Sequence, residues 1–201
     1  MTEKMKIFAC MMISVLVSLI ATGAIVKAKQ VETQEHLAQE VFRFHVLANS
    51  DREEDQAVKM QVKEAVIAYM KKNLPESTSA AETKTWAMQH LSELEMLARE
   101  TIAKAGFIND VKVLVTKCYF PEKTYGDITF PSGEYDALRI EIGDAKGQNW
   151  WCVLYPNLCF IDAIHAVVPE EGKTELKEVL EEDAYEMVTS KTRFHLRWFF
   201  F

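Results

Sequence analysis

Positive charge is scarce in this sequence, which argues against a nucleic-acid-binding surface. The 201 residues contain 23 Lys and Arg against 30 Asp and Glu, a formal net charge of −7. Proteins that bind nucleic acid normally carry a basic face that neutralises phosphates. The sequence therefore predicts no nucleic-acid partner.

Cysteines are also few, and their spacing does not suit a metal site. Of the four, Cys10 lies in an apolar N-terminal run, whereas Cys118, Cys152 and Cys159 lie beyond it. No second Cys/His pair completes four zinc ligands, so we expect no metal and no other cofactor. Three thiols cannot all pair within one chain. We predict a Cys152–Cys159 disulfide, with other pairings open, because these residues flank Pro156 and export removes them from the reducing cytosol.

Recognisable catalytic motifs are missing as well. The turn at Gly143–Gly147 lacks both the Walker pattern and the strand-turn-helix setting of a phosphate loop. The acidic residues between Asp51 and Asp55 lack the glycine and the terminal Glu of a calcium loop, and helix capping explains them better. We therefore predict a protein that is not an enzyme and has no small-molecule substrate. The alternative is a hydrolase in which Asp51, Asp55 or Cys152 is catalytic.

The N-terminus is the one long apolar run. Lys4 and Lys6 precede Ile7–Val26, which is about as long as a bilayer-spanning helix. Small residues at Val26 and Ala28 also match a signal-peptidase site. We predict an export segment over residues 1–29, either a signal peptide or a signal anchor, then a polar linker over residues 30–40. Residues 41–201 would form a single extracytoplasmic domain.

The remaining pattern mixes strands and helices. Period-two alternation predicts strands at Val41–Ala48, from Val111 towards Phe120, at Tyr135–Ile142 and at Arg193–Trp198. Strand-favouring composition predicts another that contains Trp150 and ends at Pro156. Period-3.6 patterns predict a helix capped by Ser50 and Glu53, another from Ser79 to Gly106, and an acidic one at Thr174–Met187. A hairpin should join Tyr135–Ile142 to the strand that contains Trp150 and Trp151, here called the tryptophan strand. The loop 121–133 should fold onto the body of the domain. We predict an α+β fold with a largely antiparallel sheet of about five strands.

The stretch Asn149–Phe160 contains two of the four tryptophans and two of the four cysteines. Adjacent residues of a strand point to opposite faces, so Trp150 and Trp151 must do so. Either both faces of the sheet are covered, or one indole lies on the surface as a binding anchor. The polar residues of the neighbouring strand favour a surface indole, so we predict a partner site that includes Trp150, Trp151, Tyr155 and Tyr125.

Several unusual short motifs occur in a fixed order along the chain. They are Phe44–Asp51, Asp55-Gln56, Lys59, Tyr119-Phe120-Pro121, Lys123–Gly126, Phe130-Pro131, Gly133, Tyr135, Ala137-Leu138-Arg139, Asn149–Leu154 and Arg193-Phe194. Together these motifs resemble the stage II sporulation protein R family. The resemblance covers about residues 41–160, with one departure, because Asn157 follows Pro156 where the family commonly has a second proline.

This resemblance implies a non-enzymatic signal of endospore formation. Such proteins are made in the forespore and exported into the space between the two septal membranes. There they activate a membrane-embedded aspartic protease of the mother cell, which cuts the inactive precursor of the sigma-E transcription factor. The residues themselves support export and a single aromatic-rich domain, whereas the partner follows only from the resemblance.

Overall fold

A computed structural model describes residues 3–75, 79–156, 159, 168 and 170–189, with only the backbone at 170 and 171. The predicted strand Arg193–Trp198 lies outside these residues. The helices are α1 (Glu3–Glu40), α2 (Glu53–Asn73), α3 (Ala80–Gln89), α4 (Leu91–Lys104), α5 (Glu170–Val179) and α6 (Glu182–Thr189). The strands are β1 (Phe42–Leu47), β2 (Val111–Phe120), β3 (Lys123–Tyr125), β4 (Ile128–Phe130), β5 (Gly133–Ile142) and β6 (Asn149–Tyr155).

The predicted α+β class is confirmed, but the main sheet is mixed. Its order is β2-β5-β1-β6, and β3 and β4 form a separate two-stranded hairpin. Strand β1 pairs parallel with β5 and antiparallel with β6, while β2 and β5 are antiparallel. The predicted β5–β6 hairpin is therefore wrong, because β1 lies between these two strands.

The two faces of the sheet have different covers. One face, here called the helix face, packs against α2, α3 and α4. Every strand of the main sheet contributes alternating apolar residues to it. As predicted, Leu138, Ile140 and Ile142 are buried on this face, while Arg139 and Glu141 lie on the other, partly exposed. The second face, here called the hairpin face, packs against β3–β4, the end of α1 and α6. Its core contains Val41, Phe120, Phe130, Tyr135, Ala137 and Val153.

Helix α1 is the one helix in the described part of the chain that is long and apolar enough to cross a membrane, with a mean hydropathy of 2.4 over its most apolar 18 residues. It continues without a break through the predicted linker to Glu40. Residues 29–40, here called the stem, dock onto the domain through buried Thr33 and Leu37. Lys29 pairs with Asp183 of α6 at 2.9 Å, so the stem is part of the fold.

Three local expectations are corrected. The predicted capping box is wrong, because α2 begins after Arg52 with no side-chain cap and Ser50 has other partners. The helix predicted from Ser79 to Gly106 is two helices that meet at His90, although Ser79 does cap the first. The acidic C-terminal helix is likewise divided into α5 and α6. The loop 121–133 does fold onto the body, as expected, because Ile128 and Phe130 are buried.

Candidate functional site

The loop that follows β1 is tied to the turn that precedes β6. We call this arrangement the clasp, formed by Asn49–Arg52 and residues 143–148. The backbone N–H of Gly147 donates to the Ala48 carbonyl at 2.9 Å, and that of Lys146 donates to the Asn49 carbonyl at 3.2 Å. The Asn49 side chain accepts from the Asp144 N–H at 3.0 Å. The clasp therefore fixes one end of the three strands β5, β1 and β6.

Two glycines make this close approach possible. A Cβ at Gly147 would clash with the backbone carbonyl of Ser50, which has little freedom to move. Gly143 has a φ of +56°, and a Cβ there would clash with the Asn49 side chain. Only glycine adopts this left-handed conformation without strain and leaves the required space.

The two aspartates suggested for hydrolase chemistry are both occupied in the clasp. Asp55 is 2% exposed and accepts hydrogen bonds from the Ser50 hydroxyl and from Asn49 Nδ2, the latter at 3.0 Å. The Ser50 hydrogen bond holds the pKa of the Asp55 carboxyl below its usual range, with help from Asn49 and Arg52. Asp51 accepts from the Gln148 N–H at 2.7 Å. For Asp55, the lowered pKa and the buried position are the reverse of what a general acid needs.

A buried lysine completes the underside of the clasp. The Lys59 ammonium donates to Gln56 Oε1 at 2.6 Å and to the Gln148 carbonyl at 3.1 Å. Gln56 in turn donates to the Ser50 carbonyl at 2.9 Å. The conspicuous polar residues after β1 therefore serve the architecture of this loop.

Trp150 and Trp151 point to opposite faces, as predicted, and each is half-buried. On the helix face, Trp150 packs edge-on against Phe44, with ring centroids 5.5 Å apart, beneath the Lys63 ammonium at 5.2 Å. On the hairpin face, Trp151 stacks on His45 at 3.7 Å and contacts Phe120 at 4.7 Å. Neither indole is wholly core and neither is wholly exposed.

His45 is an unusual residue for a central strand. It is 2% exposed, and neither ring nitrogen has a hydrogen-bond partner. Burial, reinforced by the positive charges of Arg139 and Arg43, lowers the pKa of His45 to about 4. Asn149 lies close enough to favour the charged form slightly, but it lacks hydrogen-bond geometry. His45 is therefore a neutral imidazole at physiological pH.

Arg43, two residues earlier on the same face, is completely buried. Its guanidinium lies among four aromatic rings, with centroid distances of 4.3 Å to Phe120, 4.9 Å to Tyr135, 5.2 Å to Phe130 and 6.0 Å to Tyr125. It donates to the Tyr125 hydroxyl and to the Cys152 carbonyl, each at 3.1 Å, while the third nitrogen has no partner. In the described residues no carboxylate pairs with it. The charge is stabilised by aromatic faces instead.

The remaining predicted site residues are buried to different extents. Tyr125 is the hydroxyl partner of Arg43, and Tyr155 is buried in the helix-face core. Cys152 and Cys159 are joined by a disulfide with a Cα separation of 5.7 Å. Tyr125 is thus half-buried, like the two tryptophans, whereas Tyr155 lies in the interior. The aromatic enclosure of Arg43 was not predicted from the sequence, although the four aromatic residues of loop 121–133 and its flanks could have indicated it.

The arrangement around the clasp is structural. Within the ranges that the structure describes, no group of three His, Cys, Asp or Glu side chains is placed to hold a metal ion. What the arrangement offers is a rigid, clasped end of a sheet with two half-exposed indoles. Such a surface suits recognition of another protein, since Trp is enriched at interface hot spots.

Comparison with known proteins supports one family. The model of the stage II sporulation protein R family matches residues 38–165, which include β1 to β6 and the clasp. Stage II sporulation protein R of Bacillus subtilis strain 168 is 33% identical over 187 residues, covering 89% of this chain and 84% of the relative. No solved structure matches. The clasp residues and strand β6 with its two tryptophans fall within the residues that the family model matches, and the chain belongs to the stage II sporulation protein R family.

Proposed function

We propose that this protein is an exported signalling ligand of sporulation that activates a membrane-embedded aspartic protease across the septum. The protease would then cut the inactive precursor of sigma-E. Family membership supports the sporulation role, and α1 supports export or membrane anchoring. The forespore origin, the septal intermembrane space and the protease partner follow from the family resemblance and are part of the proposal.

One observation favours a ligand over a septal or cell-wall hydrolase. Both candidate carboxylates are held in the clasp, with Asp55 buried and Asp51 bound to the Gln148 N–H. Cys152, the third candidate, is in a disulfide and has no free thiol. Of the three candidates only Asp51 is exposed to solvent, so the hydrolase alternative rests on that residue.

Single substitutions test this distinction. In cells that produce the aspartic protease and the sigma-E precursor, we expect the full chain to cause precursor cleavage. Asp51→Asn keeps an oxygen acceptor for the Gln148 N–H, so cleavage should stay within about threefold of the wild type. Loss of a catalytic acid or base costs several orders of magnitude. A loss of that size in Asp51→Asn, with an unchanged melting temperature, would establish the hydrolase instead.

A leader exchange tests the delivery role of α1. We expect a different exported leader joined at Gln30 to preserve cleavage of the precursor, because the contacts of Thr33 and Leu37 with the domain remain. If cleavage stops although the domain reaches the septal space, the apolar segment does more than deliver.

The proposed contact surface includes Trp150 and Trp151. We expect their substitutions by Ala to act differently, since the indoles face opposite sides of the sheet. One should lower the melting temperature, with a cost of about 3 kcal/mol, and the other should weaken activation by about 2 kcal/mol. Equal destabilisation by both would assign both rings to the core and move the contact surface elsewhere.

A further inference from the structure

The stem meets the sheet at one end only, the end where β1 begins. A single residue, Val41, separates α1 from β1. The Gln34 side chain packs against Gly133, which precedes the β1-paired residue Ala137 by four positions on β5. Four strand residues span about 13 Å, so Gln34 lies beyond the start of β1, at the end of the sheet where β5 pairs with the last residues of β2. The helix therefore does not fold back along the sheet.

The opposite end of the sheet consequently points away from the membrane-spanning part of α1. We call it the distal edge, and it consists of the clasp and residues 108–110. The Gly143 N–H donates to the Asp110 carbonyl at 2.7 Å, which joins the two parts. Strand β1 alone separates the distal edge from the stem by about 20 Å.

The distal edge carries a fully exposed isoleucine. Ile108 has a relative exposure of 102%, whereas beyond α1 the other exposed large apolar side chains of the described chain, Met88, Met96 and Tyr119, reach at most 58%. Its orientation is fixed by the end of α4. Gly106 is left-handed with φ +84°, the Phe107 N–H donates to the Ile102 carbonyl at 3.1 Å, and Phe107 packs on the core. The next side chain is thereby directed outward.

A lone exposed apolar residue is ordinary on a protein surface. The position of Ile108 is what distinguishes it. Asn149 pairs with Leu47 and Trp150 with Val46, so both tryptophans lie near the start of β6, at this same end of the sheet. Strands β2 and β6 are three strand spacings apart, about 14 Å. This distance fits within one partner's side of an interface of standard size, about 800 Å².

We propose that the distal edge, with Ile108 as its apolar anchor, contacts the extracytoplasmic part of a protein held in the facing membrane. The inference deepens the proposed function and rests on it for the identity of the partner. The partner surface would offer an apolar pocket for Ile108 beside groups that complement exposed Asp110 and Lys146. Surfaces near the stem would remain outside the contact.

The first test compares two exposed apolar residues at opposite ends of β2. Ile108 precedes the strand at the distal edge, and Tyr119 pairs with Glu134 near the stem. In the full chain, we expect Ile108→Ser to reduce precursor cleavage at least tenfold with an unchanged melting temperature. Tyr119→Ser, the matched control, should support precursor cleavage at the wild-type level. Wild-type levels of precursor cleavage with Ile108→Ser, or equal losses with both variants, would overturn the proposal.

A second test measures orientation without any signalling readout. In a Cys10→Ser, Cys118→Ser background, fluorescent labels are placed on Lys112→Cys or Lys117→Cys, both exposed on β2. The full chain is reconstituted in phospholipid vesicles that contain an acceptor lipid. We expect weaker energy transfer from position 112, which pairs with Glu141 near the distal edge. Equal or reversed transfer would overturn the distal assignment. The expected difference in transfer, together with failure of the wild-type chain to cause cleavage, would contradict the proposed function alone.

Discussion

The imidazole of His45 stacks on the indole of Trp151, with ring centroids 3.7 Å apart and an angle of 17° between the planes. Trp151 belongs to an edge strand of the described sheet and His45 to the strand beside it. The indole therefore shields from water the one side of the histidine that the core does not already cover.

This contact predicts that Trp151→Ala raises the pKa of His45 from about 4 towards 6.5. Removal of the indole lets water reach the imidazole and stabilise its charged form. The titration can be followed by NMR at the His45 ring carbons. Trp150→Ala is the matched control, because it removes the neighbouring indole from the other face and should leave the pKa unchanged. Identical shifts in both variants would contradict the shielding role.

His45 also predicts how stability depends on pH. An unfolded histidine binds a proton near pH 6.5, whereas the pKa of His45 in the folded protein is about 4. Between these values the unfolded state binds more protons, so acidification favours unfolding. The contribution of neutral His45 to the free energy of unfolding is fully present above pH 6.5. This free energy declines by about 3 kcal/mol as the pH falls to 4.

Denaturant titrations at several pH values measure this dependence. His45→Leu removes the titrating group, and the free energy of unfolding of this variant should vary less between pH 6.5 and 5, where carboxylates contribute little. Parallel curves for the variant and the wild type would show that His45 is not the source.

The hydroxyl of Tyr125 should matter more for stability than its exposure suggests. Tyr125→Phe removes the acceptor for the buried guanidinium of Arg43 and leaves a second nitrogen without a partner. We expect a loss of about 1–3 kcal/mol in the free energy of unfolding. Tyr119→Phe, at an exposed position, should change it by less than about 0.5 kcal/mol. Equal melting temperatures for the two variants would refute the importance of this hydrogen bond.

The clasp predicts different tolerances at two glycines. Gly147→Ala would drive a Cβ into the Ser50 backbone carbonyl, and we expect a cost of about 1–3 kcal/mol. At Gly133 the nearest atoms belong to the end of the Gln34 side chain, which can rotate away. Gly133→Ala should therefore cost clearly less. Thermal melts of the two variants give the comparison, and the reverse order would argue against the clasp.

The disulfide is testable by mass. After alkylation in denaturant without reduction, Cys118 should be modified, and Cys10 as well where the leader is retained, while Cys152 and Cys159 should not. Reduction should expose two further thiols. Alkylation of Cys152 or Cys159 before reduction, located by peptide mapping, would contradict the pairing.

The strands were predictable and their pairing was not. Alternation correctly marked β1, β2 and β5, and strand-favouring composition marked β6. The turn at Gly143–Gly147 suggested a hairpin, yet the clasp instead binds this turn to the loop after β1. Turn composition reports only local conformation, whereas the insertion of β1 between β5 and β6 depends on contacts about 100 residues apart in sequence.

The contacts of the polar site residues were likewise not predictable from the local sequence. Ser50 and Glu53 have the spacing of a capping box, but Asp55 recruits the Ser50 hydroxyl and the cap does not form. Arg43 and His45 alternate with apolar residues, which suggests a solvated face. The hairpin β3–β4 and Trp151 cover that face instead. A charge pattern along one strand does not reveal what packs on it from elsewhere.

The continuity of α1 into the stem has a consequence for how the leader is removed. A peptidase requires locally opened backbone, and the bond after Ala28 lies inside one uninterrupted helix. Burial of Thr33 and Leu37 beneath the domain stabilises that helix from its far end. We therefore expect any cleavage after Ala28 to precede docking of the stem, and a chain that folds first to keep its N-terminal helix.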